Sequence, residues 1–347
     1  MKRLEIPITV GVVGLGRAGW SLHLEPMCKL SDYRIVAVAD PLPERRAEAV
    51  EKTGCAEFAS IDELLQKSDA RIVVVATPSS THFEDVAKVL QAGRHCIAEK
   101  PLTLESAQAD ELVALAKEKG LGLFVHHALL HRPVFYHLKR VIDSGILGRL
   151  FSIRICWGSF ARRWDWQTLR KNGGGTLNNT CAHVLSVVLP LLGEPAERAF
   201  ADLRNIKDAG DAEDHVHMVL QTRSGITADI VVSTAMALSG PQWMFFGDQG
   251  AMISDEKTCT IRYFDGSKVA PLHVLDAAAP GRQYLGEELP WTEKTEKIDP
   301  LPVKDFHENI VEVLTGEGDL VVTPESAAEV VRVTNLVRAA YEKAHRS

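Results

Sequence analysis

Residues 8–19 read Ile8-Thr-Val-Gly-Val-Val-Gly14-Leu-Gly16-Arg-Ala-Gly19, an apolar, β-branched run that ends directly in a G-x-G-x-x-G turn. A glycine triplet alone is weak evidence, but here its setting is specific. A strand precedes it, helical spacing follows it, and Asp40 closes the next β-branched run 21 residues past Gly19. In a strand–turn–helix unit of this kind the first glycine permits the tight turn, the second lets backbone amides approach a pyrophosphate, and the third lets helix and sheet pack closely. Arg17 and Ala18 then open a helix whose free N–H groups favour an anion. Asp40 is placed to accept the ribose hydroxyls of an adenosine and to repel a 2′-phosphate, so the expected cofactor is NAD before NADP, with Arg45 and Arg46 close enough to moderate that repulsion.

Outward from this stretch, β-branched runs recur at 35–39, 72–76, 96–98 and 121–125. Continuous apolar runs suit parallel strands buried on both faces. Between them, Ser60-Ile-Asp-Glu63 and Thr81-His-Phe-Glu84 fit the capping box, and Gly93 and Gly120 stand where helices need a left-handed terminator. The expectation is an α/β chain with an N-terminal Rossmann domain, a doubly wound parallel sheet, over residues 1–125.

Past residue 125 the period changes. Phe151, Ile153, Ile155 and Trp157 alternate with polar or small neighbours, Val216, Met218 and Leu220 do the same, and residues 226–232 suit a hairpin partner across Arg223-Ser-Gly225. Residues 126–347 are therefore expected to form an α+β substrate-binding and oligomerisation domain with an open, mostly antiparallel sheet. Prolines 280, 290, 300 and 302 make the stretch 277–302 read as irregular, and Thr323-Pro324 starts a terminal helix over 324–342.

The 347 residues are 46% hydrophobic and 24% charged, enough for two folded domains and unlike a disordered tail, a collagen or a disulfide-stapled miniprotein. With 39 basic against 46 acidic residues the net charge is −7, which leaves no broad basic footprint for nucleic acid. The six cysteines share no C-x-x-C spacing and read as reduced thiols. The longest apolar run, 182–192, is broken by Ser186 and Pro190 and is too short for a membrane, which needs about 20 residues. The opening residues lack a secretory pattern, so a cytoplasmic protein is expected. No G-x-S-x-G elbow or Walker loop occurs. Neither His126, His127 and His131 nor Asp214-His215-Val-His217 makes a complete ligand set, so no metal is expected. Alternation places His215 and His217 on one shared strand face.

Three further segments are Ala76-Thr-Pro-Ser-Ser-Thr-His82, Ala98-Glu-Lys-Pro101 and Gly173-Gly-Gly-Thr-Leu-Asn-Asn-Thr-Cys-Ala-His183. In this order behind the glycine fingerprint, they resemble the Gfo/Idh/MocA family of NAD(P)-dependent oxidoreductases, which act mostly on sugars, cyclitols and their derivatives. The residues point the same way. Oxidising a secondary alcohol needs a base of near-neutral pKa, for which His183 is the candidate. Lys100 follows a strand's C-terminal end, where doubly wound sheets bind ligands, and its ammonium suits a developing alkoxide. Asn179 lies four residues before His183, on the same helix face.

The resemblance implies that Lys100, Asn179 and His183 carry catalysis, that Glu99 and Lys100 line the nicotinamide end, and that Thr77, Pro78 and His82 sit beside the cofactor. Arg163 and Trp166, from the basic and aromatic stretch before the triple glycine, are assigned with His127 to the substrate pocket. It also implies a homodimer or homotetramer joined through the second sheet. Many relatives read Asp-x-Gly-x-His-x-x-Asp where this chain has Asn179, Cys181, His183 and Ser186, so acid–base work falls on His183, assisted by Lys100. The altered acidic positions motivate one alternative, a non-catalytic NAD-binding regulator or sensor. A reductase of a non-sugar substrate such as a dihydrodiol is another.

Overall fold

In the computed structural model, which describes every residue except 1–2, 277–280, 282–283, 301–303 and 346–347, two sheets divide the chain. The first is parallel throughout, with the order β3-β2-β1-β4-β5-β6. Its strands are β1 (Ile8–Val13), β2 (Tyr33–Ala39), β3 (Ala56–Phe58), β4 (Ile72–Val75), β5 (His95–Ala98) and β6 (Leu123–Val125). This is the expected doubly wound sheet, with one added strand: β3 is three residues long and mostly exposed, so it left no apolar run to read. Order reverses between β1 and β4, and that reversal opens the crevice where ligands bind in such sheets.

Alternating residues of the buried strands feed two cores. Val13, Ala39, Val73, Val75 and Cys96 face α3 (Ile61–Lys67), α4 (His82–Gln91) and α5 (Ser106–Lys119). Val10, Val12, Ile72, Val74 and Ile97 face α1 (Glu25–Met27) and α2 (Pro43–Thr53). Both cores need the far end of the chain. Phe306, Ile310 and Leu314 of α8 (Phe306–Thr315) complete one, and Ala327, Ala328 and Val331 of α9 (Pro324–Ala344) complete the other.

The second sheet has eight strands in the order β14-β13-β12-β11-β7-β10-β9-β8 and is antiparallel except for the parallel pair β7–β10. It comprises β7 (Leu150–Gly158), β8 (Ala196–Arg204), β9 (His215–Thr222), β10 (Thr227–Ser233), β11 (Trp243–Gly247), β12 (Gly250–Ser254), β13 (Thr258–Tyr263) and β14 (Thr292–Lys297). The β9–β10 hairpin pairs as the alternation predicts, Met218 opposite Ile230. One face packs on α6 (Pro133–Asp143), α7 (Thr180–Leu192) and part of α9. The apolar run 182–192 is α7, an interior helix.

Several local expectations change. Phe151 is 51% exposed, because β7 meets a register shift in β11 that pairs Ser152 and Leu150 and passes Phe151 over. Thr81 does not cap α4; its hydroxyl donates to Asp85 Oδ2 at 2.8 Å, a tighter local acceptor. Ser60 does accept from Glu63 N, but the Glu63 carboxylate takes the Ala59 amide in place of the Ser60 amide. Residues 292–297, expected to be irregular, form the edge strand β14, whose Thr-Glu-Lys-Thr-Glu-Lys sequence is mostly solvated and held by pairing with β13 and by the Glu296 carboxylate, which accepts from Arg140 of α6 at 2.8 Å. Within that stretch, residues 277–280, 282–283, 301 and 302 lie outside the described residues.

Candidate active site

A cleft of about 630 Å³ runs across the C-terminal ends of the parallel strands to the start of α7. At one end, Gly14 has φ +85°, and a Cβ there would lie 2.6 Å from the Ala76 carbonyl oxygen. A Cβ on Gly19 would land on the Gly14 carbonyl, so Gly19 serves helix–strand packing and does not line the cleft. Gly16 has only the Arg45 guanidinium at 4.0 Å beside its Cβ position, leaving its backbone open to the cleft. Arg17 and Ala18 follow at the mouth of a π-helical segment, Ala18–Leu24, that points its first turn into this space. Open backbone, a helix start and an acidic residue on the neighbouring strand end fit a dinucleotide.

Asp40 is buried at the end of β2. Its Oδ2 accepts from Leu15 N at 2.7 Å and its Oδ1 from Leu42 N at 2.9 Å. Each oxygen keeps a lone pair for a ribose hydroxyl. Arg45 reaches within 3.6 Å of Oδ2, placing a cation beside the carboxylate as its position in the sequence suggested.

Thr77, Pro78 and His82 line the middle of the cleft. The His82 ring lies with Nδ1 2.7 Å from the Pro101 carbonyl and Nε2 2.9 Å from the Thr77 carbonyl. It therefore ties two cleft loops together and has no free nitrogen for a ligand. The Thr77 hydroxyl donates to Asp85 at 2.7 Å.

At the far end Lys100, just past β5, meets the N-terminus of α7. Its ammonium donates to the Asn179 side-chain oxygen and, at 3.2 Å, to the Asn179 carbonyl. Burial lowers its pKa to about 8; Arg17 and Arg163 push the same way, and Glu99 opposes them. His183, one turn along α7, faces the same space. Its Nδ1 is buried with no partner, which leaves Nε2 as the nitrogen able to meet a ligand. Burial holds its pKa well below the usual imidazole value, reinforced by the charge of Lys100 and by His127, so the ring is a neutral acceptor.

Arg163 and Trp166 also line the cleft, whereas Trp164 is 82% exposed and stands outside it. Arg163 is braced by two bonds to Asp165, each 2.9 Å, and one to Gln167. His127 is not brought to the cleft: it is buried behind it, with its pKa lowered to about 3 by burial and by Lys100. The triple glycine has no exposed role either. Cβ atoms at Gly174 and Gly175 would collide with the Gln167 carbonyl and the Glu213 carboxylate, so the close approach these glycines permit is to the protein itself. Asn178, which donates to the Gly173 carbonyl at 3.1 Å and accepts from Arg338 of α9 at 3.1 Å, pins the loop in place.

Sequence reasoning assigned nothing to Gln167, nor to Asp165 and Ser79, which lie inside the basic and aromatic stretch and the 76–82 segment without any signal of their own, and it weighed His126 only as a metal ligand. The last lies on the cleft wall beside Glu99, which is buried and joined to His23 and His126.

A glycine-cradled dinucleotide crevice that ends on an ammonium, an amide and a neutral imidazole defines the chain as a Rossmann oxidoreductase with a second, mostly antiparallel sheet appended. Comparison with known proteins carries the assignment further. Residues 8–127 match the oxidoreductase family with the NAD-binding Rossmann fold, and residues 135–253 match the GFO/IDH/MocA C-terminal domain; the chain belongs to this family. It is 29% identical over 252 residues to a dTDP-3,4-didehydro-2,6-dideoxy-alpha-D-glucose 3-reductase of Actinomadura kijaniata, covering 71% of this chain and 74% of that one. Myo-inositol 2-dehydrogenase of Thermotoga maritima is 28% identical over 254 residues, 71% of this chain and 75% of that one. The fold is shared with the WlbA dehydrogenase from Bordetella pertussis, solved with NADH and UDP-GlcNAcA, at a TM-score of 0.76 and 20% identity over 97% and 96% of the two chains.

Proposed function

We propose that this protein is an NAD(H)-dependent dehydrogenase or reductase that interconverts a secondary alcohol and a ketone on a sugar, sugar derivative or cyclitol. The observation that carries the reading is the meeting of Lys100, Asn179 and His183 at one end of a cleft whose other end is the glycine turn and Asp40. The glycine turn and Asp40 would hold NAD there, and the bound nicotinamide would supply the hydride acceptor or donor. The protein's own part is to bind, orient and move a proton. Lys100 donates to the substrate oxygen and stabilises charge on it. Asn179 aims the ammonium and orients a hydroxyl, without itself taking a proton. His183 Nε2 removes the hydroxyl proton. Arg163 and Trp166 bound the substrate side, with the indole offering a face for sugar C–H groups.

The related dTDP-sugar reductase and inositol dehydrogenase support the substrate class. Six free cysteines suit a reducing compartment, the cytoplasm, and among the described residues no helix is long and apolar enough to cross a membrane. The outer face of the second sheet, with Phe200 and Ile253 exposed, supports a homodimer or homotetramer joined there.

The test is a nicotinamide-absorbance screen of NAD⁺ and NADP⁺ against sugars, sugar acids, nucleotide sugars and inositols, with Lys100→Ala and His183→Ala alongside. Turnover on one class with NAD⁺, lost by about 100-fold or more in both variants, is the expected result. Near-wild-type rates in both variants would sink the assignment of the two residues. Tight NAD binding with silence on every compound would favour a non-catalytic sensor.

A further inference from the structure

Behind Lys100 lies a line of four buried groups that the reaction as proposed leaves unused: His307, His23, Glu99 and His126. His23 Nε2 is 2.9 Å and His126 Nδ1 2.8 Å from the same oxygen, Glu99 Oε1. His23 Nδ1 is 3.2 Å from His307 Nε2, and the Lys100 amide donates to Glu99 Oε2 at 3.2 Å.

The chemistry of the acceptor settles where the protons sit. A carboxylate only accepts, so both imidazoles donate to Glu99: His126 carries its proton on Nδ1 and His23 on Nε2. Neutral His23 then accepts at Nδ1 from the Nε2–H of His307. What remains on His126 is an unprotonated Nε2. That atom has no hydrogen-bond partner among the described residues and is not among the polar atoms sealed from solvent. His126 itself lines the cleft together with Lys100, Asn179 and His183.

Three buried donors in one place also invite a metal. A zinc ion held at about 2.1 Å by each of them would keep the donors roughly 3.4 Å apart. The separations of 2.8 and 2.9 Å to one shared oxygen are those of hydrogen bonds.

An imidazole with a carboxylate on Nδ1 and an open Nε2 is the arrangement that stabilises an imidazolium in acid–base catalysis. The two cleft histidines therefore differ in kind. His183 has nothing on its buried Nδ1 and the Lys100 ammonium nearby, so a proton it takes is poorly held. The titratable groups around His126 are Glu99, Lys100 and the imidazoles of His23, His127, His131, His183 and His307. Glu99 is the one anion in that set. Burial alone would raise its pKa, but the charge that His126 and His23 carry when protonated, with the hydrogen bonds both rings donate, prevails and holds it well below the usual range.

We propose that His126 is a second acid–base group of this enzyme, the place where the proton from the substrate hydroxyl comes to rest. The proposal rests on the hydride-transfer reading above. As the carbinol carbon gives its hydride to the nicotinamide, the O–H bond breaks and its proton goes to His183 Nε2. A cleft water passes that proton to His126 Nε2, returning His183 to its neutral form and pairing the new imidazolium with the Glu99 carboxylate. Solvent removes the proton through the open cleft, and in ketone reduction the same path runs in reverse.

The experiment uses His126→Asn, whose amide can still donate to Glu99, on the full-length protein. Turnover is expected to fall by about 100-fold or more near pH 7. NADH affinity, read by fluorescence, should stay within about twofold, one ionisation should vanish from the pH profile of kcat, and added imidazole should restore part of the rate. Independently of turnover, ¹⁵N NMR of the cofactor-free wild type should show neutral His126 protonated at Nδ1. A wild type that turns over beside an equally active His126→Asn with the same pH profile would overturn this proposal alone. So would an Nε2–H tautomer, or one equivalent of tightly bound zinc. A wild type silent on every polyol would overturn the reaction itself and this step with it.

Discussion

Lys100 concentrates the functional argument at the scale of one residue. Its side chain is an oxygen-stabilising donor only as the ammonium. Burial has brought its pKa down to about 8, within reach of ordinary assay conditions, with Arg17 and Arg163 adding to the effect and Glu99 limiting it. The direction follows directly: raising the pH through about 8 removes the donor. Alcohol oxidation measured as kcat/KM should therefore decline above about pH 8, in contrast to a simple proton-releasing oxidation, which alkali favours. Replacing Asp165 with Asn, which frees Arg163 from its bidentate partner at the cleft wall, should move this limb by changing the field at Lys100. A rate still rising through pH 9.5 would show that the ammonium is not the working form.

At the scale of the element, the turn from β1 into the π-helical segment decides whether a cofactor can be held at all. Gly19 touches no ligand surface, yet a Cβ there meets the Gly14 carbonyl head-on, and backbone cannot step aside as a side-chain tip can. Gly19→Ala should separate helix from strand, lowering stability by about 1–3 kcal/mol. NAD affinity should fall more than about tenfold through the displaced amides of the turn. Gly54 provides the comparison. Unlike Gly19 it has a positive φ, +68°, as the terminator of α2, but nothing lies within 4 Å of its Cβ position. Gly54→Ala should lose about 1 kcal/mol of stability and leave NAD affinity unchanged. Calorimetry with denaturant melts separates the two cases; equal loss of NAD binding in both would refute the packing argument.

At the scale of the whole molecule, the Rossmann unit is not closed by its own stretch of chain. Phe306, Ile310 and Leu314 seal one face of the parallel sheet, and Ala327, Ala328 and Val331 seal the other. Asn335 adds two specific ties, donating to the Leu104 carbonyl at 2.8 Å and accepting from Ser106 N at 2.7 Å at the start of α5. A fragment of residues 1–125 should therefore expose both apolar faces, bind hydrophobic dyes and aggregate, and the same fragment joined through a flexible linker to residues 304–345 should be soluble and bind NAD. A soluble, NAD-binding 1–125 fragment would show that the two returning helices are dispensable.

The sequence alone determined the features that depend on neighbours along the chain. The β-branched runs declared the parallel strands because burial on both faces leaves no room for polar residues. Gly14, Gly16 and Asp40 were legible because a fixed loop length separates strand, turn and helix. Asn179 and His183 could be paired because a helix brings residues four apart onto one face. Lys100 and Glu99 were reached through a motif resemblance, since a lysine after a strand has no periodicity of its own. Only the tertiary structure decided what depends on residues far apart. It turned His127 into the interior while leaving its neighbour His126 on the cleft wall. It spent the triple glycine on contact with Gln167 and Glu213. It also assembled His307, His23, Glu99 and His126 from four separate segments into one hydrogen-bonded line. The reason is physical: local geometry follows from bond rotations a few residues long, whereas a buried polar group must find its partner wherever packing brings one within about 3 Å.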